Sequence, residues 1–316
     1  MSEPALLASA LQTELNALHA DAHLRIGPAG GSEQRARRAV MEAGDFVAAQ
    51  WLAEGVAYLR INSLPGGDEA NARMGALLDQ YESANTLIID VRACPGGTLD
   101  AMDALFARLY AAPTFVMTMD TRTGANPEME AMFGARSTLR RAPAPEGISR
   151  FEHWAVPLSP VLSLPQGRVF VLTGRTGSAC EHLTQTVRAT GRARLVGSNT
   201  GGAGHYGRGA TFGGGRFEMF LPVGNSYAPG AESWEGVGVA PHVRVDPAQA
   251  LEFYPLMFGA TQLRFRGTAD ALYTERSFIL LDQVDEAPPA ALESGIWHIG
   301  WGGVDVKNEY EWWLRH

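Results

Sequence analysis

The chain has 316 residues, 46% of them hydrophobic and 19% charged, the balance of a globular protein long enough for one large domain with appendages or for two domains. Its net charge of -8 argues against a nucleic-acid partner, because phosphate binding needs clustered cations and Arg35, Arg37 and Arg38 form only a small local group. No run approaches the roughly 20 apolar residues of a membrane span, and Met1-Ser2-Glu3-Pro4 lacks the basic start of a secretory signal, so a cytoplasmic protein without membrane contact is expected.

Residues 5–20 place Leu6, Leu7, Leu11, Leu15 and Leu18 at helical spacing. Asp21-Ala22-His23 follows, then a loop marked by Gly27, Pro28, Gly30 and Gly31, and a second helical pattern over 32–43. Residues 55–61 read as a strand, 68–82 as a helix and 87–91 as a strand, an order that suggests an α/β domain. The strand at 87–91 stops at Cys94-Pro95-Gly96-Gly97, and a helix over 98–110 opens from that turn. Between 120 and 164, Pro143, Pro145, Pro157 and Pro160 interrupt regular patterns, and this stretch is expected to be a long insertion over the site.

A second buried strand, Val169 to Thr173, breaks at Gly174 and Gly177 and leads through Ser178 into a helix that stops at Gly191. Both turns can then lie on one rim of a sheet. The first offers bare N–H groups at Gly96 and Gly97, the second a hydroxyl at a helix start, which together make half of an acyl-transfer site. A strand at 193–197, the glycine-rich segment 200–207, hairpin-like strands around 210–222 and a closing stretch at 234–245 complete the region. Cys94 and Cys180 are too few for a disulfide framework and are expected to be small packing residues.

Taken alone, Ser178-Ala179-Cys180-Glu181 reads first as a capping box, with the glutamate reaching back to the serine. A nucleophilic serine also needs a base, and spacing does not supply one.

Four ordered motifs decide between these readings. Ile89-Asp90-Val91-Arg92 running to Pro95-Gly96-Gly97, Thr176-Gly177-Ser178-Ala179, Val196-Gly197 with Thr200-Gly201-Gly202, and Glu235-Gly236-Val237-Gly238-Val239-Ala240-Pro241 resemble the tail-specific (C-terminal processing) serine peptidase family. The resemblance spans about residues 10–250 and implies an α/β fold with a crotonase-like ββα superhelical core at 49–250, after an N-terminal helical segment at 1–48. It implies Ser178 as the nucleophile of an acyl-enzyme. The lysine of the family's dyad branch is absent, since Ala203 stands in its place. The chain is therefore similar to the branch of the tricorn core and the interphotoreceptor retinoid-binding protein, which implies His23 as general base, Glu235 as its support, and the N–H groups of Gly97 or Gly96 and of Ala179 as the oxyanion hole. His205 is the stronger rival base. His182, on the helix of Ser178, is the weaker one.

Several positions depart from the family pattern. Cys94 stands where the glycine turn carries Asn, His242 follows Pro241, and Ala22 precedes His23. The interval 26–56 has no room for a PDZ module. A peptide or a small ester or amide is the expected substrate, with no cofactor or metal. A passive lipophilic-ligand carrier of the same fold is the alternative from another class.

From 251 onward the chain resembles part of a vicinal oxygen chelate (glyoxalase-like) α+β domain, with strands at 262–273, 277–283 and 296–305. His298 in the last is expected to be structural, since one histidine does not make a metal site. Tyr310, Trp312 and Trp313 suggest an apolar patch that packs on the core or on a second copy of the chain.

Overall fold

The computed structural model describes residues 3–19, 21, 23–30, 46–165 and 167–245, and the backbone of 261–265, 269–274 and 277–281. It divides into two compact units, Met1–Arg244 and Val245–His316.

The first unit is a mixed α/β body with two six-stranded sheets. Its elements are α1 (Glu3–Leu18), β1 (Arg25–Pro28), β2 (Val47–Ala53), β3 (Val56–Ile61), α2 (Asp68–Asp79), β4 (Thr86–Asp90), α3 (Asp100–Leu109) and β5 (Thr114–Arg122). After these come α4 (Pro127–Gly134), β6 (Leu139–Ala142), β7 (Ile148–Ala155), β8 (Val169–Thr173), α5 (Ala179–Ala189), β9 (Arg194–Gly197), β10 (His205–Phe212), β11 (Phe217–Tyr227) and β12 (Val243–Arg244).

One sheet runs β12-β9-β8-β4-β3-β2, parallel throughout except for the antiparallel edge pair β2 and β3. Its central strands are branched apolar runs with one face buried and the other buried or half-buried, as crossover helices over a parallel sheet produce. Leu87, Ile89, Val169 and Val171 are at most 1% exposed, and each such side chain contributes about 1.5–3 kcal/mol of burial. Because β4, β8 and β9 are adjacent and parallel, the segments leaving their C-terminal ends emerge side by side along one edge, where ligands bind in open α/β sheets.

The other sheet is antiparallel, ordered β1-β11-β5-β7-β6, with β10 also pairing β11. Here the expectation of an irregular insertion at 120–164 is corrected, since β5, α4, β6 and β7 occupy most of it. Pro143 and Pro145 fall in the β6–β7 connection and Pro157 and Pro160 follow β7, so the prolines punctuate regular elements without breaking them. Asn126 caps α4 by accepting the Met129 N–H at 3.3 Å, with Pro127 in the first turn.

In the second unit, Thr261–Phe265, Ala269–Thr274 and Ser277–Leu281 (β13 to β15) form an antiparallel meander. The expected helix at 32–43, the strand around His298 and the patch of Tyr310, Trp312 and Trp313 lie outside the described residues. Among the described residues no helix is long and apolar enough to cross a membrane.

Candidate active site

The turn after β4 is braced from within. Asp90 is buried and accepts Tyr58 Oη at 2.6 Å, Arg92 Nε at 2.9 Å and Arg92 Nη2 at 2.7 Å. Burial pushes the Asp90 carboxyl up, but the guanidinium and phenol outweigh it and hold it below the ordinary range. Beyond it, Gly96 and Gly97 adopt φ of 116° and 145°, which favours glycine. A Cβ on Gly97 would overlap the Leu64 carbonyl, and one on Gly96 would stand 2.6 Å from Ser178 Cβ.

The turn after β8 packs directly on the first. Thr176 Oγ1 donates to the Val91 carbonyl at 2.8 Å and the Gly177 N–H to the Cys94 carbonyl at 2.9 Å. Among the described residues Ser178 alone of the non-glycine residues has positive φ, with φ 50° and ψ -122°. That strained strand-to-helix turn is the geometry that lifts a nucleophilic hydroxyl clear of its backbone. Neither Gly97 N–H nor Ala179 N–H has an acceptor among the described residues, so both are available to a developing oxyanion.

Cys94 and Cys180 do not serve merely as packing residues: they form a disulfide with a Cα–Cα distance of 6.1 Å, linking the two turns. Two cysteines are too few for a framework, but a single pair is enough to bridge two adjacent turns.

Glu181 performs the bracing half of the expected capping box, accepting the Ser178 N–H at 2.9 Å. It is fully buried and also accepts Thr200 Oγ1 at 2.5 Å, Gly202 N–H at 2.7 Å and Ala203 N–H at 2.8 Å. Burial pushes its pKa up against these four donors, which favour the ionised form. One carboxylate thus fixes the glycine segment after β9 to the helix of Ser178.

Glu235 anchors the far end of that segment, with Oε2 accepting Gly204 N–H at 2.7 Å and His205 N–H at 2.8 Å. The His205 Nδ1 lies 2.6 Å from Asp21 Oδ2 and 3.8 Å from Glu235 Oε2. Asp21 is itself fixed through Oδ1, which accepts the N–H groups of His23 at 2.7 Å and Leu24 at 3.1 Å. Burial raises the Asp21 pKa, but the His205 contact and these donors prevail and lower it, so the carboxylate stays charged. Asp21, His205 and Glu235 form a group with metal-ligand spacing. Asp21 Oδ1 and Glu235 Oε2 accept backbone amides and Asp21 Oδ2 meets the imidazole, so these oxygens already serve hydrogen bonds.

Ser178 and His205 line one cavity of about 230 Å³, together with Gly97, Ala179, His182, Tyr206 and Trp234. Met119, Met129, Met132 and Phe133, from β5 and α4, give it an apolar wall. The expected insertion therefore does stand over the site, as ordered secondary structure. His23 is not among the lining residues: its ring packs 5.4 Å from Phe220, with Nδ1 buried and, among the described residues, without a hydrogen-bond partner. Burial lowers the His23 pKa despite the nearby Glu235 and Asp21, which favours the neutral ring. His182 lines the cavity, but its Nε2 is 2.9 Å from His153 Nδ1, and His153 Nε2 is 2.7 Å from Asp103. Asp21 carried a readable signal, its place two residues before His23, whereas nothing local marked His153 or Asp103.

A family model for peptidase family S41 matches residues 55–245. The chain belongs to peptidase family S41. The S41 fold is shared with solved structures of low identity. One is a putative peptidase from Parabacteroides merdae, 16% identical with a TM-score of 0.54, the match covering 78% of this chain and 76% of that one. Another is a lipoprotein from Streptococcus agalactiae, 14% identical with a TM-score of 0.54, covering 80% and 79%. The photosystem II D1 C-terminal processing protease is 19% identical with a TM-score of 0.46, and the match covers 64% of this chain and 49% of that chain, so the S41 chain described here spans about half its length.

Proposed function

We propose that the protein is a serine peptidase that works through an acyl-enzyme on Ser178, built on a crotonase-like core. Family membership supports the reaction class. The observation that carries the assignment is the 2.6 Å contact of Asp21 with His205 Nδ1, which leaves Nε2 as the ring nitrogen without a partner among the described residues, on an imidazole that shares a cavity with Ser178.

In this reading Ser178 Oγ attacks the substrate carbonyl as its proton passes to His205 Nε2. The oxyanion accepts from Gly97 N–H and Ala179 N–H, each donor being worth about 3 kcal/mol of transition-state stabilisation. The imidazolium returns the proton to the leaving amine or alcohol, and water then enters by the reverse proton path. Asp21 holds the tautomer, and Glu235 fixes the backbone that carries His205. Among the described residues Ser178 Oγ bonds to neither imidazole, so the pair closes as substrate fills the cavity.

His23 as base, with Glu235 supporting, is the second reading. It is favoured by a half-buried ring whose Nδ1 has no hydrogen-bond partner among the described residues and which feels both carboxylates. The substrate we propose presents an apolar side chain to the methionine wall, on a peptide or a small ester or amide. A fluorophosphonate probe tests the assignment: it modifies Ser178 if the protein is an enzyme, and an unmodified Ser178 would leave the lipophilic carrier standing. The cytoplasmic setting expected from the N-terminus is weighed against the disulfide, a bond that persists chiefly in oxidising compartments.

A further inference from the structure

The two turns that meet at the site are joined covalently at the point of contact. Cys94 immediately precedes Pro95-Gly96-Gly97, and Cys180 stands two residues after Ser178, the pair being 86 residues apart in sequence. Both cysteines are fully buried. Around them the turns approach as closely as backbone allows: the missing Cβ of Gly96 would lie 2.6 Å from Ser178 Cβ and 2.9 Å from Ala179 N. Between these glycine and serine segments the backbone supplies the Gly177 N–H to Cys94 carbonyl bond at 2.9 Å.

Resting on the reading of Ser178 as nucleophile, we propose that the Cys94–Cys180 disulfide is a positioning cross-link for the reaction. It holds the Gly97 N–H of one turn in register with the Ala179 N–H and Ser178 hydroxyl of the other. The two donors of one oxyanion hole come from turns far apart in sequence, so a few tenths of an ångström of sliding between them weakens the hole without emptying the substrate cavity. The disulfide opposes that sliding, and its reduction releases it.

Reduction consumes one dithiol. Its thiolate attacks one sulfur and expels the other cysteine as a thiolate; the reagent's second thiolate then attacks its own sulfur in the mixed disulfide and expels the first cysteine. Two electrons enter the protein, Cys94 and Cys180 end as protonated thiols, and the reagent leaves as a cyclic disulfide. A disulfide oxidant such as oxidised glutathione reverses the exchange.

A cross-link that closes so long a loop also stabilises by restricting the unfolded chain, so stability does not distinguish the roles. Rate does. The full-length protein is prepared oxidised, reduced with dithiothreitol and reoxidised with oxidised glutathione, and the cysteine state is read by mass after alkylation. Fluorophosphonate labelling of Ser178 and steady-state hydrolysis of a nitrophenyl ester are measured in each state, with thermal melts showing the folded fraction at assay temperature. The expected result is a labelling rate and a kcat that fall at least tenfold on reduction, a KM within about twofold, and recovery on reoxidation. The C94A/C180A variant sits at the reduced rate in either buffer. Equal rates in the two states overturn the proposal, as does a loss that merely tracks unfolding, or an oxidised preparation in which mass shows two free thiols. If the oxidised protein fails to label Ser178 at all, the nucleophile assignment itself falls, an outcome distinct from the others.

Discussion

Glu181 Oε2 accepts the Ser178 N–H at 2.9 Å and the Ala203 N–H at 2.8 Å, so one buried carboxylate oxygen joins Ser178 to the segment that leads to His205. Glu181→Ala strands three backbone donors and the Thr200 hydroxyl in the interior. A loss of about 3–5 kcal/mol in urea unfolding is expected, since unpaired buried groups incur their full desolvation cost. Glu181→Gln keeps the shape but turns an amide toward two N–H groups, and should fall between wild type and Ala. A Gln variant as stable as wild type would show that the carboxylate charge is not what these donors require.

The carboxylate behind His205 is equally open to test. Asp21→Asn offers an amide to Nδ1 and favours the wrong tautomer, which should lower kcat by about 10³–10⁴ with little change in KM. His205→Ala should match it, and His23→Ala should cost less than about tenfold. The opposite ranking in a kcat comparison would transfer the base to His23.

Ser178 provides a test of strain. Its φ of 50° is unfavourable for any side chain, and such residues cost about 1–3 kcal/mol. Ser178→Gly should raise folding stability by roughly 1 kcal/mol after allowance for the freer unfolded chain, while hydrolysis falls at least 10³-fold. Ser178→Ala should lose activity equally and gain no such stability. Thermal melts of the two variants beside wild type read the difference.

Acid unfolding should proceed in two stages. Burial first, and His153 second, hold His182 well below its ordinary pKa, so below about pH 6.5 the unfolded imidazole binds a proton that the folded one resists. The unfolded state then carries more protons and stability falls with pH, by at most about 1.4 kcal/mol per unit for this one group. Asp21 and Asp90 have depressed folded pKa values, so their contribution is complete above about pH 4 and is lost as pH drops through those values. Urea midpoints from pH 8 to 3 should show both stages, with the upper one reduced in His182→Asn. An unchanged upper stage in that variant would assign it to another group.

Much of this arrangement was legible in the chain. Strands such as Leu87 to Asp90 and Val169 to Thr173 are branched apolar runs stopped by glycine, and that local pattern alone locates the turns bearing Gly97 and Ser178. The β6 and β7 hairpin was hidden because Pro143 and Pro145, which lie in its connection, read as breakers of whatever surrounded them. Partners brought together by folding left no local trace: Asp21 meets His205 across 184 residues, and Cys94 meets Cys180 across 86. A histidine two residues from an aspartate invites attention to itself, when the ring that the aspartate grips belongs to another sheet strand.

Asp21 belongs to a leading segment that joins the body through the pairing of β1 with β11, the His23–Phe220 ring contact and the Asp21–His205 bond, while Gln12 bridges Leu24 and Ile26 within the segment itself. The span shared with the family begins only at residue 55. A recombinant piece trimmed to that span would keep the alcohol, both amides and His205, yet forfeit the group that orients the ring, and would be scored as a degenerate homologue.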